Sequence, residues 1–146
     1  MIKSRISHCI STFFYLGKVK YAPGTIASLA TLFVWYSFIP ENILIRFLIF
    51  TSISVIGFFS IKYSLVCYKD KDPQEIVMDE VVGMSLPILF LTDLVIMLIA
   101  FILFRVFDIL KPSIIYYSQF YDGAYGVLLD DLLAGLCTII LLVKYI

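Results

Sequence analysis

Two adjacent carboxylates near the C-terminus constrain this chain more than any other feature. Asp130 and Asp131 stand in the run 126–143, whose other residues are small or apolar apart from one threonine. A carboxylate without compensation in an apolar environment costs several kcal/mol or takes up a proton instead. A basic side chain or a divalent cation can offset the charge, and ligation by oxygen alone favours magnesium, calcium or manganese. Other parts of the chain must therefore share this site.

The composition indicates a protein that packs against a bilayer. Of the 146 residues, 62% are hydrophobic and 15% are charged, whereas soluble domains are about half apolar and about a quarter charged. The formal net charge is zero, so we expect no nucleic-acid partner. The length suits one domain, and we expect residues 1–146 to form it.

Apolar runs separated by breaks predict several helices. The longest predicted helix covers residues 41–68, where Arg46 and Lys62 bracket an uncharged stretch. That stretch is short for a full span of about 20 residues, so we expect both basic side chains to snorkel towards the membrane surface. The number of spans stays open at this stage. Basic residues at 3, 5, 18 and 20 favour a cytoplasmic N-terminus.

A second pair of adjacent carboxylates, Asp79 and Glu80, also stands among apolar residues. It lies in an apolar segment with Gly83 three residues after Glu80. The segment 72–75, Asp-Pro-Gln-Glu, combines an acidic cap with proline at the first helical position and predicts that a helix begins there. Pro87 should kink or end this helix.

A third polar group closes the next apolar helix. We expect Thr92 to cap that helix, with Asp93 favourable in its first turn. At its other end stand Arg105, Asp108 and Lys111. At about 100° per residue, the two cations flank the carboxylate on one helix face. A surface ladder of ion pairs is the plain alternative.

The fourth group is a helix start after Pro23 that carries Thr25 and Ser28. Free backbone N–H groups and two hydroxyls make it a candidate anion site, and an ordinary helix start is the alternative. Ionisable residues inside membranes usually face the bundle interior and mark function. If the four groups converge, carboxylates hold a metal ion while cations and helix N–H groups hold phosphate. Attack by water and attack by a carboxylate both remain open.

These motifs, in this order and spacing, resemble the phosphatidylglycerophosphatase A family. They are Pro23-Gly24-Thr25 with Ser28-Leu29, Asp72-Pro73 with Asp79-Glu80 and Gly83, Phe104-Arg105 with Asp108 and Lys111-Pro112, and Gly126-Val127 with Asp130-Asp131 and Ala134-Gly135. The resemblance implies a compact all-α, multihelical, membrane-associated bundle. It also implies a bacterial enzyme that uses Mg²⁺ to remove the terminal phosphate of phosphatidylglycerophosphate within the bilayer.

The resemblance further implies roles for the polar residues. Asp79, Glu80, Asp130 and Asp131 are expected as metal ligands or water activators, with Asp108 as a further ligand or base. Arg105, Lys111, Thr25 and Ser28 are expected to hold phosphate. The site is expected to open at the cytoplasmic face of the inner membrane. A membrane protein that binds or transports a cation through the same carboxylates is the alternative function.

Overall fold

A computed structural model describes residues 2–68, 73–112, 115, 121 and 123–145 of the chain. Within these residues it contains six α-helices, two short 3₁₀ segments and no strand. The α-helices are α1 (Ile2–Ser11), α2 (Pro23–Phe38), α3 (Ile43–Leu65), α4 (Met78–Ile88), α5 (Leu94–Leu110) and α6 (Ala124–Leu142). The predicted all-α class is confirmed.

Helix α4 lies at the centre of the bundle and packs against α2, α3, α5 and α6. It contributes to two buried apolar clusters. Met84 and Ile88 pack with Trp35 of α2 and Phe104 of α5, while Val82 packs in a second cluster that includes residues of α2, α3 and α6. The acidic pair on the first turn of α4 is therefore held by a rigid element that is surrounded by other helices.

Two helices have the length and composition needed to cross a bilayer, at Ile43–Leu65 and Ala124–Tyr145. They differ in how far the bundle covers them. Helix α3 turns a row of large apolar side chains outward, including Leu44, Phe47 and Leu48. Helix α6 is half buried against its neighbours. An apolar exterior of this kind suits association with a membrane.

The prediction that Arg46 snorkels is wrong, because its side chain is only 3% exposed. Its guanidinium donates hydrogen bonds to the carbonyls of Pro40, Ile88 and Leu91. The carbonyls at a helix end lack partners within the helix and attract cations. Arg46 therefore caps the end of α4 from inside the bundle.

Two predicted helix starts are also corrected. Helix α4 begins at Met78 and not near Pro73, because the backbone N–H of Val77 donates to the carbonyl of Ser11 in α1. Ile76 and Val77 are buried by that arrangement. Asp72 lies outside the described residues. At α5, the cap is Asp93 and not Thr92, since the carboxylate of Asp93 accepts from the N–H groups of 95 and 96.

Candidate active site

The two acidic pairs meet because α4 and α6 cross at glycines. A Cβ added to Gly83 would lie 2.8 Å from both Cβ and the carbonyl oxygen of Asp131, and one added to Gly135 would lie 2.5 Å from the carbonyl oxygen of Gly83. A larger side chain at either position would push the helices apart. The glycine that follows each acidic pair in the sequence thus brings the pairs together.

Three carboxylates form what we call the acidic centre: Asp79, Glu80 and Asp131. One oxygen of each lies within 4.8 Å of the others. Asp79 and Asp131 are 6% and 3% exposed. Among the described residues, Glu80 Oε2 and Asp131 Oδ1 are buried and have no hydrogen-bond donor. Buried carboxylate oxygens without donors, converging from two helices, fit a hard divalent cation.

Burial raises the pKa of Glu80 from its ordinary 4.5 to about 7, and the nearby charge of Asp108 acts in the same direction. A hydrogen bond with Asp79 and the guanidinium of Arg105 both lower the pKa of Glu80 and so oppose the rise. The cause is the loss of hydration, which disfavours the charged form of a carboxyl group. A cation at the acidic centre would restore the ionised form, so proton and cation compete there.

Two ion pairs border the acidic centre. Arg105 Nη1 lies 2.6 Å from Asp108 Oδ2 and 4.0 Å from Glu80 Oε1. Lys111 Nζ lies 2.5 Å from Asp130 Oδ2. The pairing of Arg105 with Asp108 on one face of α5 agrees with the predicted helical spacing. We call Arg105, Asp108, Lys111 and Asp130 the paired rim.

The backbone conformation at the end of α5 directs the side chain of Lys111 towards Asp130. Lys111 adopts a left-handed conformation with φ of 42°, and its N–H donates to the carbonyl of Phe107. Helices commonly end in a left-handed conformation, so this turn ends α5 at Lys111. Asp130 also accepts a hydrogen bond from the N–H of Asp131. Of the four carboxylates predicted as metal ligands, three thus converge, while Asp130 contacts Lys111.

The start of α2 reaches the same site through Gly24. A Cβ at Gly24 would overlap Glu80 Oε1 and lie 3.3 Å from Arg105 Nη1, so a larger residue there would displace the Glu80 carboxylate. The hydroxyls of Thr25 and Ser28, predicted to bind phosphate, do not line the cavity that opens over the acidic centre. Ser28 is buried and donates to the carbonyl of Gly24, while Thr25 lies in a neighbouring groove beside Arg105. Phosphate binding by these two hydroxyls stays a prediction.

A cavity of about 110 Å³ opens over the acidic centre and the paired rim. Its lining residues are Gln74, Ile76, Asp79, Glu80, Asp108, Lys111, Asp130 and Asp131. Gln74 and Ile76 are not among the predicted site residues, since nothing in one sequence marks these two loop residues as part of a site. Carboxylates, a lysine and an adjacent arginine can together bind a cation and a phosphate group.

Comparison with known proteins agrees with this geometry. The model of the phosphatidylglycerophosphatase A family matches residues 9–145. A Bacteroides thetaiotaomicron protein with the provisional name phosphatidylinositol-3-phosphatase is 32% identical, over 91% of this chain and 89% of its own length. Phosphatidylglycerophosphatase A of Haemophilus influenzae is 32% identical (91% and 84% covered), and that of Escherichia coli is 29% identical (88% and 76% covered).

No solved structure gives a significant match. The family match covers nearly the whole chain, including every helix that supplies a residue to the cavity. The chain belongs to the phosphatidylglycerophosphatase A family.

Proposed function

We propose that this protein hydrolyses the terminal phosphate monoester of phosphatidylglycerophosphate to give phosphatidylglycerol and phosphate, with Mg²⁺ as its cofactor. The coarser assignment, a phosphoric monoester hydrolase acting on a lipid, follows from the family. One observation carries the finer proposal: a small cavity combines three converging carboxylates with a lysine and a neighbouring arginine. A cation and a phosphate monoester match that set of groups.

The acidic centre would hold the cation. Asp79, Glu80 and Asp131 offer only oxygen ligands, which favours Mg²⁺, Ca²⁺ or Mn²⁺ over softer metals. Their buried oxygens without donors, on Glu80 and Asp131, are the observation that supports the fit. A bound divalent cation supplies positive charge that stabilises the phosphoryl oxygens as the phosphorus–oxygen bond breaks.

The paired rim would orient the phosphate. Arg105 and Lys111 each hold a carboxylate, at 2.6 Å and 2.5 Å respectively, and each can donate further hydrogen bonds to phosphate oxygens. The carboxylates they hold, Asp108 and Asp130, can accept the proton of an attacking water. In hydrolysis the water oxygen bonds to phosphorus, the bond to the lipid oxygen breaks, and that oxygen takes up a proton.

We place the protein in the bacterial inner membrane, with the site open to the cytoplasm. Two helices of suitable length and apolar composition support the membrane location. Basic residues at 3, 5, 18 and 20 support a cytoplasmic N-terminus. We further propose that residues 1–146 act as one domain.

The test is phosphate release by purified protein in detergent, with Mg²⁺ and then with excess chelator. Phosphatidylglycerophosphate and phosphatidylinositol 3-phosphate are supplied in parallel, because one relative carries a name based on the second lipid. Release from the first lipid that requires Mg²⁺ supports the proposal. Preference for the second lipid moves the assignment to another lipid phosphatase. No release from folded protein favours the cation-transport alternative.

A further inference from the structure

A second concavity lies beside the active site, and we call it the α5 groove. It has a volume of about 430 Å³. Its apolar lining is Phe101, Ile102, Val106, Ile109 and Leu110, all on one side of α5. Several of these side chains are largely exposed, with Ile109 at 68% and Leu110 at 71%. Water is a poor solvent for such a surface, so a membrane protein would cover it with an apolar group.

Two polar residues also line the α5 groove, and one of them contacts the active site. Arg105 and Thr25 complete its lining. Arg105 also pairs with Asp108, which lines the acidic cavity. Thr25 follows Gly24, where an added Cβ would overlap the Glu80 carboxylate. Arg105 therefore links the α5 groove to the acidic cavity, because it lines the groove and pairs with a residue that lines the cavity.

Another groove of similar size provides the contrast. It lies on α3, measures about 360 Å³ and is lined by Leu48, Thr51, Ser52, Val55 and Ile56. None of these residues is charged. Its two hydroxyls donate to carbonyls of their own helix, at 2.9 Å and 2.8 Å. The α3 groove can contact lipid tails, but it offers nothing that would select a lipid by its headgroup.

We propose that the α5 groove holds one acyl chain of the lipid phosphate substrate, which leaves the headgroup over the acidic centre. This inference rests on the proposed function. A ligand with an anionic head and an apolar tail fits an apolar groove whose one cationic lining residue, Arg105, also contacts the active site. The occupant is thus the substrate itself and not bulk lipid, and binding of the chain helps to position the terminal phosphate.

Photolabelling tests where the acyl chain lies without any need for turnover. The probe is phosphatidylglycerophosphate with a diazirine on one acyl chain and a terminal phosphonate that cannot be hydrolysed. With Mg²⁺ present, label should concentrate on 101–110, and excess unlabelled phosphonate with short acyl chains should reduce it there but not on 48–56. Equal labelling of both grooves, or no competition, would overturn the proposal.

A matched pair of substitutions tests the effect on activity. Val106→Trp fills the α5 groove, and Val55→Trp makes the same change in the α3 groove, at positions 42% and 51% exposed. Val106→Trp should lower kcat/KM for a long-chain substrate about tenfold. Val106→Trp should not change kcat/KM for a substrate with two-carbon acyl chains. Val55→Trp should not change kcat/KM for either substrate.

The two substrates separate the possible failures. Equal losses of kcat/KM on both substrates, or no loss on either, would overturn the proposed role of the groove. If the wild-type protein releases phosphate from neither substrate, the proposed reaction fails, while the labelling contrast still decides whether the groove holds the acyl chain. Circular dichroism of each variant checks that the helices are retained.

Discussion

Asp130 and Asp131 are neighbours in one helix, yet they lie in opposite electrostatic environments. Asp130 accepts a hydrogen bond from Lys111 at 2.5 Å. Asp131 is surrounded by the carboxyl groups of Asp79, Glu80 and Asp108, and its Oδ1 has no donor among the described residues. The carboxylate of Asp130 is therefore compensated by a cation, whereas the next residue, Asp131, faces repulsion from other carboxyl groups.

The same difference separates the paired rim from the acidic centre. The rim contains two cations and two carboxylates in close pairs. The centre contains three carboxylates, with Arg105 no closer to Glu80 than 4.0 Å. Buried ion pairs in which the protein supplies both charges can hold side chains in position. A buried group of like charges instead requires protonation or an added cation. This difference supports the proposed binding of a cation at the centre and the proposed orientation of phosphate by the rim.

The largest effect is expected from Asp131→Asn, which removes a charge from the centre and keeps its shape. Phosphate release should fall on the order of 10³-fold, because the cation loses a ligand. Stability without metal should be unchanged or higher by about 1 kcal/mol, because repulsion among the carboxylates is relieved. Phosphate assays and thermal unfolding in chelator measure the two quantities. Retained activity would remove Asp131 from the site.

The next effect concerns the crossing that brings the pairs together. Gly83→Ala should destabilise the protein by about 2 to 3 kcal/mol, because the added methyl meets the backbone of Asp131, which cannot move freely. Gly57→Ala on α3 is the control, since its methyl would meet the side chains of Val82 and Met78 at 3.1 Å and 3.3 Å. Thermal unfolding should show a clear loss only for Gly83→Ala. Equal losses would mean that the crossing tolerates a methyl group.

The sequence was sufficient where local rules govern. Apolar runs predicted the helices, and the three-residue spacing placed Arg105 and Asp108 on one face, where they pair. The glycine after each acidic pair was visible in the sequence, but its meaning was not. Only the packing of α4 on α6 shows that Gly83 lies against Asp131. A sequence motif shows which residues are present at a helix crossing, but it does not show which residue each one contacts.

The sequence was insufficient where tertiary contacts decide. The signals for a helix start at Pro73 are overridden because Val77 bonds to α1 and is fully buried. Arg46 was expected at the membrane surface, yet the carbonyls at the end of α4 bind it inside. Adjacent aspartates have identical local signals, so the pairing of Lys111 with Asp130 depends on how α5 packs against α6.

A smaller effect is expected at the rim. Lys111→Met should destabilise the protein by about 1 to 2 kcal/mol, because Asp130 loses a close cation in a partly accessible pair. Adding Asp130→Asn to Lys111→Met should recover part of that loss. A double-mutant cycle of unfolding free energies measures the coupling. Zero coupling would mean that the pair contributes nothing to folding and would weaken the contrast with the centre.

The smallest effect is a pH dependence that belongs to the centre. Burial raises the pKa of Glu80 to about 7, so the native protein holds a proton there that the unfolded chain releases above its ordinary pKa of 4.5. Metal-free stability should therefore fall as pH rises from about 4.5 to 7. Mg²⁺ binds the ionised form, so its affinity should fall up to about tenfold per pH unit below 7 and level off above it.

Titration calorimetry between pH 5.5 and 8 measures both the affinity for Mg²⁺ and the protons released on binding. Glu80→Gln should bind Mg²⁺ more weakly, and that affinity should depend less on pH near 7. Glu75→Gln makes the same change at an exposed residue, whose carboxylate accepts a hydrogen bond from Tyr68, and it should retain the wild-type pH profile. If Glu80→Gln binds Mg²⁺ as tightly as the wild-type protein at every pH, Glu80 is not a ligand. The cation would then be held by Asp79 and Asp131 alone, and Glu80 would belong with the paired rim rather than with the acidic centre.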